Sequence, residues 1–124
     1  MELELRENMY YRTYSGFINK IISIKDYNER EYLLNGFYTN KDTIKKASYN
    51  IIDILECGDI IKLFMEDDID GEDTNIFELI AINYNDNEIG VFNSDFQIEF
   101  FPIENLRGIL THEQMEQMAY KVGE

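Results

Sequence analysis

The stretch Ile76-Phe77-Glu78-Leu79-Ile80-Ala81-Ile82-Asn83-Tyr84, Asn85-Asp86-Asn87, Glu88-Ile89-Gly90-Val91-Phe92 decides the fold class. Two runs rich in β-branched and aromatic residues flank three polar turn formers, the pattern of an antiparallel hairpin. Residues 96–101 continue it, with apolar Phe96, Ile98 and Phe100 alternating with Gln97 and Glu99. That spacing predicts one buried and one wet face, and Pro102, which cannot donate to a ladder, should end the pairing.

Upstream, residues 60–65 read as a strand, followed by the acidic run Glu66-Asp67-Asp68-Ile69-Asp70-Gly71-Glu72-Asp73. Residues 9–14 and 17–24 are strand-like on either side of Ser15-Gly16. Residues 31–34 and 37–39 form a hairpin around Asn35-Gly36, the strongest short turn signal available. Ser48 is placed to cap a short helix over 49–55 that Gly58-Asp59 would stop. Thr111-His112-Glu113-Gln114 is a capping box, with Leu110 and Met115 as its hydrophobic staple. It opens a helix to about Ala119 whose apolar stripe is Met115, Met118 and Ala119.

Each half thus has a glycine-marked strand pair, then an apolar and basic segment, then a Ser/Thr-capped short helix, as a degenerate duplication would. The expected fold class is mostly β with some α: two tandem or fused SH3-like small β-barrels, spanning 1–57 and 58–124, each with a short capped helix. A single fused sheet of about eight strands fits the same pattern.

The chain has 124 residues, 44% of them apolar, which is too hydrophobic for disorder despite a net charge of -14. One cysteine rules out an internal disulfide, and no run approaches the roughly 18 apolar residues of a membrane span. The opening Met1-Glu2-Leu3-Glu4-Leu5-Arg6-Glu7 lacks the basic start and apolar run of a secretory signal, so a cytoplasmic protein is expected. Residues 1–57 hold 8 Lys/Arg and 9 Asp/Glu, whereas 58–124 hold 3 and 16. Such an acidic half repels nucleic acid and anionic lipid directly, and favours a basic protein partner.

Catalytic and metal chemistry find little support. Glu66-x-Asp68-x-Asp70-Gly71 imitates the start of a calcium-binding EF-hand loop, but Phe77 stands where the bidentate Glu belongs. His112 is the sole histidine, expected exposed at a helix start whose dipole disfavours its protonated form. Cys57 is expected to be a small buried apolar residue. One Cys and one His make neither a nucleophile–base pair nor a zinc site without several carboxylates. The seven glycines form no phosphate-binding pattern. No catalytic residue, metal or cofactor is therefore expected, and the protein is not expected to be an enzyme.

Asn50-Ile51-Ile52-Asp53-Ile54-Leu55-Glu56-Cys57-Gly58-Asp59, and Ile103-Glu104-Asn105-Leu106-Arg107-Gly108-Ile109-Leu110-Thr111-His112-Glu113-Gln114 with Tyr120-Lys121-Val122, carry a resemblance. The sequence resembles short, mostly uncharacterised phage and prophage proteins of low-GC Gram-positive bacteria. In these the first segment reads N-I-I-D-L-I-E-x-G-D and the last I-x-S-I-V-T-x-E-Q-F-x-x-x-x-Y-x-V. The likeness covers about the last 75 residues, together with Arg12-Thr13 and Gly16-Phe17-Ile18. The chain departs from the pattern by inserting 66–73 and adding charge through its second half.

Such genes often encode proteins that disarm host defences, anti-CRISPR proteins among them. The resemblance therefore implies an inhibitor of a host defence nuclease, such as a CRISPR effector. Its acidic face would act as a DNA mimic against the basic nucleic-acid-binding surface of that host protein. The expected partner-binding residues are Glu66, Asp67, Asp68, Asp70, Glu72, Asp73, Asp86, Glu88, Asp95 and Glu99. The alternative is a phage accessory structural or regulatory module that docks another protein through apolar grooves or strand addition.

Overall fold

The computed structural model of the chain describes residues 4–65 and 75–122. The chain divides into two compact units, Met1–Ile54 and Leu55–Glu124. The first contains β1 (Tyr10–Thr13), β2 (Ile18–Lys20), β3 (Ile24–Asp26), β4 (Glu31–Leu34), β5 (Phe37–Asn40) and β6 (Ile44–Ser48). The second contains β7 (Ile60–Leu63), β8 (Asn75–Glu78), β9 (Ala81–Asn83), β10 (Glu88–Phe92), β11 (Ile98–Pro102), β12 (Leu106–Leu110) and the helix α1 (His112–Val122).

All pairings are antiparallel. The first unit has sheets ordered β2-β1-β6 and β3-β4-β5, and the second β12-β7-β8 and β11-β10-β9. Numbered from the first strand of each unit, both read 2-1-6 and 3-4-5. Both also place a 3-10 turn before the sixth strand, at Lys41–Thr43 and Ile103–Asn105. The fold is thus mostly β. The described strands form four open three-stranded sheets, and none closes into a barrel.

In each unit the chain crosses from one sheet to the other through a fully buried apolar residue: Ile21 between β2 and β3, Leu79 between β8 and β9. This crossing splits the continuous strand expected over 76–84. The Leu79 amide donates to the Asp59 carbonyl beside β7, and the next amide, Ile80, donates to Gly90 on β10. Buried Leu5, Tyr11, Ile21, Leu34 and Ile44 form the core of the first unit. In the second, Ile61 and Leu63 on β7 and Ile89 and Val91 on β10 are buried at the period of two that strands impose.

The helix expected over 49–55 is instead one 3-10 turn, Ile51–Ile54. Ser48 belongs to β6, and its hydroxyl accepts from the Asn50 amide while donating to Asp53. Three β-branched residues in four give that segment little reason to continue as an α-helix. The capping box of α1 forms as its sequence predicts: Thr111 N–H donates to Gln114 Oε1 at 3.2 Å and Gln114 N–H to Thr111 Oγ1 at 3.4 Å. Its stripe is less buried than expected, with Met115 and Met118 both exposed.

Candidate functional site: an apolar sheet face bracketed by carboxylates

Residues paired across antiparallel strands share a face. Ile82, Ile89 and Phe101, and likewise Val91 and Glu99, are paired on the face that buries Ile89 and Val91. The opposite face carries Ala81, Gly90 and Phe100 in one row and Phe92 with Ile98 in the next. Phe92, Ile98 and Phe100 are 46%, 47% and 42% exposed. The alternation on β11 is therefore real, but its apolar side faces solvent. Gly90 sits under this face. A Cβ there would stand 2.9 Å from Phe100 Cε1 and 3.0 Å from Ile98 Cγ2, so the missing side chain lets both settle onto the sheet.

The hairpin between β10 and β11 displays one more aromatic. The Phe96 amide donates to the Asn93 carbonyl at 3.1 Å and the Asn93 amide to the Gln97 carbonyl at 2.9 Å. The Asn93 side chain also accepts from the amides of Asp95 and Gln97. This is a three-residue hairpin loop whose last position is left-handed, a place for Gly or Asn. Phe96 occupies it with φ 60° and is 85% exposed. The strand β11 therefore begins at Ile98, two residues later than the sequence indicates. A bulky residue in that conformation costs roughly 1 kcal/mol or more, with no burial to offset it.

Of the ten expected partner-binding residues, Glu66, Asp67, Asp68, Asp70, Glu72 and Asp73 lie outside the described residues, as does the calcium-like loop they belong to. Of the other four, Glu88 shares the apolar face, Asp86 and Asp95 lie in the turns beyond its two ends, and Glu99 stands on the opposite face. Asp95 lies in the hairpin loop beside Phe96, and Glu99 on β11 is exposed. Asp86 is in the turn after β9, accepting from Asn83 Nδ2, and Glu88 starts β10 beside it, half-buried. The two pairs stand at opposite ends of β10, about 13 Å of strand apart. Sequence reasoning identified these carboxylates but assigned the aromatics between them to the core.

A second cluster was missed. His112 Nε2 lies 2.6 Å from Glu56 Oε1 and 3.6 Å from Glu113 Oε1, and Nδ1 lies 3.7 Å from Glu116 Oε1. The imidazole is half-buried, and its pKa is raised, first by the hydrogen bond to Glu56, against a smaller opposing effect of burial. Both expectations for this residue are corrected. The helix dipole is offset because fully buried Asp59 accepts from the His112 amide at 3.0 Å and from the Glu56 amide at 2.9 Å. No local motif foretold this, since Glu56 and His112 are 56 residues apart.

Donor atoms of Glu56, His112 and Glu113 lie within 4.8 Å of one another, so these residues have the chemistry for a divalent ion. The 2.6 Å contact, however, is a hydrogen-bond length, shorter than the roughly 3.3 Å between two ligands arranged tetrahedrally at 2.0–2.1 Å from a metal. As placed, His112 and Glu56 form a hydrogen-bonded pair. Cys57 is also corrected: it is exposed, and its thiol donates to the Ile80 carbonyl at 3.2 Å.

The first unit has a cleft of about 750 Å³ lined by Tyr14, Asp26, Tyr32, Lys41 and neighbours. Its charges are partly satisfied internally, Lys41 Nζ pairing with Asp26 at 2.7 Å and lying over the Tyr32 ring. Among the described residues no helix is long and apolar enough to cross a membrane. Comparison with protein-family models, with curated proteins and with solved structures returns no match.

Proposed function

We propose that the protein is a non-catalytic binding protein whose second unit docks a basic protein surface, with the apolar face of β10 and β11 as anchor and the surrounding carboxylates as guides. The observation that carries this reading is Phe96, held in a left-handed conformation and 85% exposed at the tip of an apolar hairpin. Strain persists where surrounding structure over-determines it, and such positions cluster at binding sites. Exposed aromatics in a contiguous patch are the usual anchors of protein interfaces.

Charge supports the choice of partner. The first unit has 8 basic and 8 acidic residues and the second 3 and 17, so the whole excess of -14 belongs to the unit that carries the apolar face. Carboxylates around an apolar anchor add association rate and exclude acidic competitors. The resemblance to phage and prophage proteins makes a host defence nuclease, such as a CRISPR effector, the partner class to test first. In this reading the acidic run 66–73 adds its charge to that of the described carboxylates, as a DNA mimic. Within it each unit is a small SH3-like barrel left open, two three-stranded sheets with a 3-10 turn before the last strand.

The test is competition. The partner captured from a Gram-positive host lysate should be released by double-stranded DNA, and its affinity should fall steeply with salt, because exposed charges are screened beyond about 10 Å at 0.1 M. An affinity indifferent to DNA and to salt, yet lost in Phe96→Ser, would replace the mimic with docking through the apolar face alone.

A further inference from the structure

We infer that the outer edge of β11 is an acceptor for an extended basic segment of the partner, added as an antiparallel strand in which apolar and Lys/Arg residues alternate. The inference rests on the proposed docking role of this face and specifies its geometry. In the β11-β10-β9 sheet, β11 is an edge strand, and among the described residues no strand pairs with its outer side. The Asn93 amide bonds the Gln97 carbonyl, and the Ile103 amide bonds the Asn87 carbonyl. With the register between them, these bonds fix which pairs exchange hydrogen bonds: 91 with 99 and 89 with 101. The amides and carbonyls of Ile98 and Phe100 therefore point outward. Pro102 closes one end of the edge, having no N–H, and the hairpin loop closes the other.

Such edges are normally blunted by lysine, by charge pointing inward or by a covering segment. This one carries Ile98 and Phe100 on its exposed face and a single exposed charge, Glu99, on the other. The side chains dictate the complement. A residue opposite Ile98 or Phe100 shares their apolar face and should be apolar, and the residue between, opposite Glu99, should be basic. A second copy of the chain is a poor occupant, since its own β11 would set Glu99 against another acidic unit. The strand at the same place in the first unit, β5, is also an edge, but its unit has no net charge to select a basic segment.

The probe is a seven-residue peptide alternating valine and lysine, with blocked ends, titrated into the full-length protein and followed by amide NMR. Binding should slow exchange of the Ile98 and Phe100 amides by at least about tenfold at saturation. Because the valines face Ile98 and Phe100, methylating the valine nitrogens should weaken binding more than about tenfold, while methylating the lysine nitrogens should change it little. Glu99→Lys should abolish binding and Glu99→Gln reduce it, with the spectrum of the folded protein retained.

Equal affinity of the two methylated peptides overturns strand addition. So does binding that shifts Phe92 and Phe96 without protecting Ile98 and Phe100, and so does absence of binding at millimolar peptide. The proposed docking role is judged separately, by DNA competition and the Phe96→Ser variant.

Discussion

The two units share a strand order but spend their surfaces differently. In the first, the fourth and fifth strands are joined by Asn35-Gly36, both at positive φ, as a two-residue hairpin turn requires. The Asn35 side chain turns inward, accepting from the amides of Ile22 and Ser23 and donating to the Lys20 carbonyl. The equivalent hairpin of the second unit puts Phe96 in the left-handed position and points it at solvent. One turn is chosen for the backbone and the other against it. The same contrast recurs in charge, balanced in one unit and strongly negative in the other, with 3 basic residues to 17 acidic. Between their first two strands, Ser15-Gly16 of one unit corresponds to the acidic run of the other. Two units with one strand order but different turns and charge let what the fold needs be separated from what the proposed binding needs.

The largest effects are expected where the copies agree. Arg12 on the first strand of its unit is fully buried and donates from Nη1 to the Ile54 carbonyl in the closing 3-10 turn. Asp59, just before the first strand of its unit, is fully buried and holds the start of the closing helix. In both, a buried charge near the first strand grips the element after the sixth. Arg12→Met and Asp59→Ala should each lower stability by about 3 kcal/mol, because each strands buried polar groups. Urea denaturation with amide reporters in each unit measures this. A loss below about 1 kcal/mol for either would mean that the parallel is one of topology only.

Where the copies differ, binding should respond and stability should not. Neutralising Asp67, Asp68, Asp70, Glu72 and Asp73 together to Asn or Gln should leave the melting temperature near that of the wild type, since carboxylates crowded in sequence repel one another and gain little from pairing. Partner affinity should fall at least about tenfold, mainly in association rate. The control set Glu2, Glu4, Glu7, Glu29 and Glu31 in the neutral unit should do much less. Equal effects from the two sets would remove charge asymmetry from the explanation.

The turns sharpen the contrast at about 1 kcal/mol. Gly36 has φ 85° with open space around its missing Cβ, so Gly36→Ala should cost about 1 kcal/mol through backbone strain alone. Phe96→Gly should leave stability unchanged or raise it by up to about that amount, while binding weakens. Thermal melts of the two variants decide it. If Phe96→Gly destabilises the protein, the aromatic is serving the fold and not a partner.

Much of the scaffold was legible because it is local. The Asn35-Gly36 hairpin, the turn at 85–87 and the Thr111 capping box each occupy a few consecutive residues whose chemistry dictates their backbone. The duplicated order was visible as a recurring rhythm of strands and caps. The sense of β11 was not, because a period of two says that the faces of a strand differ but not which one the rest of the chain covers. The core side of this sheet is filled by Ile89 and Val91 of the neighbouring strand, which leaves the better-patterned apolar set of β11 outside. Likewise Glu56 and His112 meet only because Asp59 bonds the first amide of α1, a contact between residues 53 apart.

The smallest expected effect belongs to that contact, and it again separates the units, since the first has no histidine. His112 faces Glu56 from the turn before β7, Glu113 and Glu116 from its own helix, and Asp59 at its amide. The Glu56 hydrogen bond favours the imidazolium, raising the folded pKa above the ordinary value of 6.5. Stability from this pair is then fully present below the unfolded-state pKa and is lost as pH rises through the higher folded value. His112→Gln keeps a hydrogen-bonding side chain without the charge, so the difference in melting temperature between wild type and variant isolates the protonated contribution from the many carboxylates. That difference should favour the wild type at pH 5.5, shrink through neutrality and level off above the folded pKa. Amide reporters in the first unit should not follow it. A difference that is flat with pH, or that grows as pH rises, would mean that the 2.6 Å contact is held by neutral imidazole and that Asp59 alone secures the helix start.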